Sequence, residues 1–282
     1  MAAEETPGPS DRDRAATLYL DLLKRCLVRT AFPERWRRYE PRGLLRRAAV
    51  ALATSFSRRG LEVVRPAGHD PAARESGLDW PEEALTMMGI KRLSHLEACV
   101  RAVVREGVPG DLLEAGVWRG GGVILMRAAL EALGDRERRV WAADSFEGLP
   151  APDPERFPAD AGMALHQFAY LAVPLEEVRR NLECFGLLDD RVRFLPGWFR
   201  DTLPAAPVER LALLRLDGDL YESTWQALDA LYPRLSRGGY AIVDDYGRVE
   251  ACRKATDAWR AAHGVAEPIE RIDDDGVFWR RA

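Results

Sequence analysis

Apolar positions recur at two different periods along the chain, and the change between them divides it. From Thr17 to Arg29 (TLYLDLLKRCLVR) they fall at helical spacing. The stretch from Trp36 to Ser57 is arginine-rich and predicts a helical patch over LLRRAAVALATSF. Such a patch can lie on a membrane surface or cover a core with its arginine stems, and its shortness favours the second. Pro66, Gly68, Pro71, Gly77 and Pro81 predict a loop between Val64 and Trp80, and a helix follows from Pro81 to about Glu106. Beyond it, short apolar runs alternate with helical periodicity. DLLEAGV (Asp111–Val117), RVWAADS (Arg139–Ser145), RVRFLPG, LALLRLDGD (Leu211–Asp219), YAIVDDY and the closing GVFWRRA read as strands. VILMRAALEAL, PLEEVRRNLECFGLL, STWQALDALYPRL and EACRKATDAWRAAHG read as helices, the third stopping at the pair Gly238–Gly239. A proline-rich irregular segment runs from Pro150 to Phe168. This alternation predicts an α/β fold with a doubly wound, mostly parallel sheet, whose ligands bind beyond the carboxyl ends of the strands.

The chain has 282 residues, enough for one large α/β domain and a smaller appendage. The expected division is a disordered tail over 1–15, an N-terminal helical cap and loop over 16–80, and the main domain over 81–282. A net charge of −4 argues against nucleic-acid binding through bulk charge. No apolar run approaches the ~20 residues that span a bilayer. The start, MAAEETPGPSDRDRAA, lacks the basic-then-apolar pattern of a signal peptide, so a cytoplasmic protein is expected. Cys26, Cys99, Cys184 and Cys252 are widely spaced and form no CxxC pair, which points to free thiols rather than a zinc ribbon or a disulfide framework.

The unusual residues fall at the strand ends. The first strand runs into Glu114-Ala115-Gly116-Val117-Trp118-Arg119 and three glycines, a turn that lets backbone approach a nucleotide-like ligand or simply closes a tight strand-to-helix connection. Its spacing is not GxGxxG. The second strand ends at Asp144, placed to accept both hydroxyls of a ribose or to face solvent. Together the two features favour a nucleoside cofactor, without separating a dinucleotide from S-adenosylmethionine. The fourth strand ends in Asp217 and Asp219, which an extended chain would hold on one side, and the fifth in Asp244 and Asp245. Four carboxylates converging from neighbouring strands would repel unless a hard divalent cation, usually magnesium, sat among them. The bland alternative has Asp219 or Ser223 capping the next helix. The four histidines have no metal-ligand spacing near these acids, which disfavours zinc.

The segments TMMGIKRL (Thr86–Leu93), LLEAGVWRGGG, AADSFEGLP, VPLEEVRRN, FGLL, RVRFLPGWFRDTLP, LLRLDGDLYEST and GGYAIVDDY resemble the macrocin O-methyltransferase family. The resemblance runs from about residue 81 to 250. The first 80 residues match loosely, through YLDLLKR. It implies a class I methyltransferase, Rossmann-like, with an N-terminal helical lid. It also implies S-adenosylmethionine and Mg2+ as cofactors, a sugar hydroxyl of a glycosylated natural product as acceptor, and a homo-oligomer. Asp217, Asp244 and Asp245 would be the metal ligands and Asp219 the general base. Glu114, Gly116, Val117, Gly120, Asp144, Ser145, Phe146, Gly197, Trp198 and Asp217 would line the cofactor pocket, with Glu114 near the cofactor's amino-acid part. Met87 and Met88 would lie in the lid, although a methionine pair alone more often packs in a core. His95 departs from the family pattern, which has a polar amide there. Three other readings stand beside this one. A catechol-type methyltransferase would share the metal chemistry. A nicotinamide oxidoreductase is disfavoured by the missing GxGxxG. A non-catalytic interaction protein would use the arginine-rich N-terminal region as its contact surface.

Overall fold

The computed structural model describes residues 10–39, 54–56, 58–61, 63–68, 70–79 and 81–282. Helix α1 (Asp11–Leu27) opens on a capping box, in which the Ser10 hydroxyl accepts from the Asp13 amide at 3.2 Å and the Asp13 carboxylate accepts from the Ser10 amide at 3.1 Å. Such a cap stabilises a helix by about 1 kcal/mol, and it draws residues 11–15, expected as tail, into the helix. The short pair β1 (Trp36–Arg38) and β2 (Val64–Pro66) and the helix α2 (Pro71–Ser76) follow. Asp70 caps α2 and Gly77 closes it, so the predicted loop contains a strand and a helix. Most of the patch predicted over 44–56 lies outside the described residues.

Residues 81–89 are not helical. The Leu85 amide donates to the Leu27 carbonyl at 2.9 Å and the Leu85 carbonyl accepts from Gly121 at 2.9 Å, so both groups are committed to tertiary partners. Helix α3 (Ile90–Arg105) therefore begins nine residues later than the apolar pattern suggests.

The main sheet is assembled from β3 (Asp111–Ala115), β4 (Val140–Asp144), β5 (Val192–Pro196), β6 (Leu211–Leu216), β7 (Leu235–Val243), β8 (Glu270–Arg271) and β9 (Val277–Arg280). Its order is β5-β4-β3-β6-β7-β9-β8; the first five are parallel, and β9 runs antiparallel to β7. Helices α4 (Gly121–Leu133) and α5 (Leu175–Cys184) cover one face with α1 and α3. The four-residue α6 (Phe199–Thr202), α7 (Tyr221–Leu231) and α8 (Glu250–Ala262) lie toward the other. Neighbouring residues of β3 serve both cores: Leu112 packs with Leu96 and Ile124, Leu113 with Leu228 and Trp259. Both are fully buried, as a strand inside a two-sided sheet requires. Gly238 and Gly239 lie inside β7 rather than ending a helix. A short 3-10 turn, Tyr232–Arg234, carries Pro233 and stops α7 first. No helix of the described residues is long and apolar enough to cross a membrane.

Strand order reverses between β3 and β6, and their diverging connections leave a crevice at the carboxyl ends. His95 lies away from it, on α3, with its ring 4.2 Å from that of Phe278 on β9. Burial pushes its pKa down from 6.5 to about 4. The folded state therefore favours the neutral ring, and its contribution to stability is lost as pH falls from 6.5 through 4. His95→Gln is expected to flatten the melting-temperature profile between pH 7 and 4. A variant curve parallel to the wild type would contradict this account.

Candidate active site

The crevice holds a cavity of about 570 Å³. Its first wall is the turn between β3 and α4. Gly116 has φ +91°, and a Cβ there would overlap the carbonyl of Asp217, so only glycine lets the ends of β3 and β6 meet this closely. Asp144 fastens the same turn from the end of β4. One carboxylate oxygen accepts from the amides of Val117 at 2.6 Å and Trp118 at 3.3 Å, and the other from Phe146 at 2.8 Å. Burial raises the Asp144 pKa, and these amides work against the rise. Glu114 lies beneath the turn at 1% exposure, pressed against the Cβ-less Gly122. Burial outweighs its ion pair with Arg215 and pushes its pKa to about 8.

Of the expected cofactor residues, Met87, Glu114, Gly116, Val117, Asp144, Ser145, Trp198 and Asp217 line the cavity. Met88, Gly120, Phe146 and Gly197 do not. Met88 is 4% exposed and belongs to the core, because the chain turns here, with the Met88 amide bonded to the Thr86 hydroxyl at 3.1 Å. Phe146 also enters the core, 6.3 Å from Phe194. Gly120 opens α4 against Val178, and the Gly197 amide joins the end of β5 to the Asp144 carbonyl at 2.9 Å.

The adjoining wall, from the ends of β6 and β7, is acidic. Parallel pairing sets Leu216 beside Val243, so the residues that follow emerge together. Asp217, Asp244 and Asp245 bring carboxylate oxygens within 4.8 Å of one another. Asp219 stands apart from this triad. The strand ends at Leu216, and Asp219 has φ +54°, so the chain is not extended between the two aspartates as expected. Nor does Asp219 cap α7. Asp160, 0% exposed, accepts from the amides of Tyr221 at 2.6 Å and Glu222 at 3.1 Å instead. Enclosure, then the charges of Asp217 and Asp244, raise the Asp219 pKa to about 7.

Two buried arginines were not anticipated. Arg215, 2% exposed, reaches Glu114 at 2.5 Å, Asp244 at 2.7 Å and Asp217 at 2.9 Å. Arg92, from α3, bonds the other oxygen of Asp244 and lies 3.2 Å from Asp273. Burial works to raise the Asp244 pKa, but the two guanidiniums outweigh it and hold it below the usual range. Among the described residues Asp245 has no guanidinium partner. Burial, the surrounding acids and a hydrogen bond with Asp217 drive its pKa well above normal, and its Oδ2 is buried with no hydrogen-bond partner among those residues. A hard cation fits this donor set: three carboxylates, one of them holding an orphaned oxygen, with no nitrogen or sulfur ligand in the group. The signal for Arg215 was a charge inside the apolar run LALLRLD. Asp160 carried none, since its role depends on a partner 61 residues away.

A parallel sheet whose crevice presents a glycine turn held by Asp144 on one side and an acidic oxygen cluster on the other is built as in the class I, Rossmann-like methyltransferases. Comparison with known proteins narrows the class. The chain belongs to the macrocin O-methyltransferase (TylF) family, whose model matches residues 16–281. It is 58% identical over 212 residues to 8-demethyl-8-(2,3-dimethoxy-alpha-L-rhamnosyl)-tetracenomycin-C 4'-O-methyltransferase of Streptomyces olivaceus, covering 75% of this chain and 81% of the relative. It is 47% identical over 278 residues to demethyldecarbamoylnovobiocin O-methyltransferase of Streptomyces niveus, covering 98% and 97%. Mycinamicin III 3''-O-methyltransferase of Micromonospora griseorubida matches at 47% over 268 residues, covering 94% and 96%. The solved structure of the O-methyltransferase NovP superposes with a TM-score of 0.82 at 46% identity, covering 95% of this chain and 99% of that one. The chain is an S-adenosylmethionine-dependent O-methyltransferase, and the oxidoreductase and non-catalytic readings fall away.

Proposed function

We propose that the protein methylates a sugar hydroxyl of a glycosylated natural product and that Mg2+, held by Asp217, Asp244 and Asp245, assists it. The observation that carries the metal is the orphaned Asp245 oxygen within a triad of carboxylates at the end of adjacent strands. The sugar acceptor is supported by relatives whose names specify a rhamnosyl substrate or hydroxyl positions 4' and 3''.

S-adenosylmethionine supplies an electrophilic methyl group, and a bound divalent cation supplies Lewis acidity that lowers the pKa of a coordinated hydroxyl. The protein's own groups do the rest. The Gly116 turn and Asp144 would hold the nucleoside, in the cavity that Met87 and Trp198 also line. Arg215 keeps Asp217 and Asp244 in register, so that the acidic wall does not splay. Asp219 receives the acceptor proton, its pKa near 7 suiting a base at neutral pH. Leu149, Pro150, Met163 and Leu171 add apolar surface to the cavity lining. No nucleophilic side chain is required, and the buried thiols of Cys99 and Cys252 are pushed up by burial, away from reactivity.

Methyl transfer to a panel of glycosides and simple catechols tests the acceptor: turnover of glycosides and silence toward catechols is expected. Prior treatment with a chelator is expected to reduce activity to background, and Mg2+ to restore it. Undiminished activity in excess chelator would remove the cation from the reading.

A further inference from the structure

Asp160 lies on the irregular segment between β4 and α5, about 60 residues from the helix its carboxylate meets. It is 0% exposed, yet among the described residues neither of its oxygens pairs with a cation. Both accept backbone amides in the first turn of α7, Tyr221 at 2.6 Å and Glu222 at 3.1 Å. The residue before that helix, Leu220, offers no side-chain cap. The neighbours Ala159 and Ala161 line the cavity. One buried carboxylate thus ties the cavity-lining segment around Ala159 and Ala161 to the turn that carries Asp219.

The consequence concerns Asp219 itself. An aspartate readily bonds the backbone amide two residues ahead, forming an Asx turn. For Asp219 that amide belongs to Tyr221, which Asp160 already occupies. Asp219 also sits at φ +54°, a conformation aspartate tolerates more easily than most residues but one the surroundings must hold. We infer that Asp160 is a positioning residue for methyl transfer: by capping α7 in trans it keeps the Asp219 carboxylate free for the acceptor and fixes the cavity's acceptor-side wall against it. This rests on the assignment of Asp219 as proton acceptor.

Asp160→Ala leaves both amides unpaired and opens Tyr221 to Asp219. Turnover is expected to fall roughly 10- to 100-fold, the loss expected when a reacting group is displaced by about an ångström. Binding of S-adenosylhomocysteine, read by calorimetry, is expected to be unchanged, because the amides that Asp160 caps belong to α7, whereas the glycine turn is fastened by Asp144. Asp160→Asn keeps one of the two accepting oxygens, enough for the Tyr221 amide, and is expected to recover part of the kcat lost in Asp160→Ala. As a stability control, Asp70→Ala removes the side-chain cap of α2 and is expected to leave kcat at the wild-type value. If Asp160 acts through Asp219, the double variant D160A/D219N turns over no more slowly than D219N alone. Losses that multiply would overturn the inference, as would full turnover in D160A beside an inactive D219N, with the base assignment intact. Full turnover in D219N would overturn both.

Discussion

Asp219→Asn is expected to lower kcat by roughly 10²- to 10⁴-fold, the range attributed to a positioned general base, while S-adenosylmethionine binds as before. Three features make this substitution informative. Asparagine has the same shape and tolerates the left-handed backbone at φ +54° about as well as aspartate, so the fold has no reason to change. The residue lies outside the cluster of Asp217, Asp244 and Asp245, so the metal donors survive. Its pKa of about 7 comes first from enclosure in the cavity and then from its acidic neighbours, an environment suited to taking up a proton. Steady-state kinetics under saturating donor, with calorimetry on the same preparation, separates the two properties. Wild-type kcat in D219N would exclude it as the proton acceptor.

The fold was legible where one physical rule acted alone. The apolar runs ending at Ala115, Asp144 and Leu216 are strands because a sheet covered on both faces needs continuous apolar character, and the glycines and aspartates beyond them mark the ligand edge. Legibility failed where a distant partner decided the local structure. The apolar spacing of residues 81–89 resembles the start of a helix, but the backbone of Leu85 is committed to Leu27 and Gly121. Asp11 and Asp13 look like part of a solvated tail until the reciprocal Ser10 cap is seen. The same distinction holds in the site. Adjacent parallel strands bring their ends together, which placed Asp217, Asp219, Asp244 and Asp245 in one group; the structure clusters three of them, and the turn at φ +54° carries Asp219 out of it. The direction of Met88 and Phe146 could not be read, because each sits on a turn where neighbouring side chains diverge. The acidic cluster was expected to require a cation. The structure shows that the protein supplies part of that charge itself, through Arg92 and Arg215.

That internal cation makes Arg215→Met the substitution with the largest expected effect on stability. The side chain is 2% exposed and holds three carboxylates, those of Glu114, Asp217 and Asp244. Methionine fills similar space without charge, so the loss measures electrostatics more than packing. Removing one partner from a buried ionic group costs about 3–5 kcal/mol, because the charges left behind are uncompensated. For a chain of this size that is a fall in melting temperature of roughly 10 °C. The sign with pH follows from Asp244. In the wild type its pKa lies below the ordinary aspartate value of 3.8, held down by Arg215 and Arg92 against burial, so it contributes stability at any pH above that value. Without Arg215 only Arg92 opposes burial, so the Asp244 pKa rises and the folded state holds that charge less favourably. The gap between variant and wild type is therefore expected to be smallest near pH 4 and to widen as pH rises. Arg215→Lys should fall between the two, since a single ammonium keeps the charge but cannot fork across three carboxylates. Thermal unfolding of the three proteins across pH 4 to 8 measures this, and a gap that stays constant would mean that Arg215 stabilises the fold through its bulk and not through its charge.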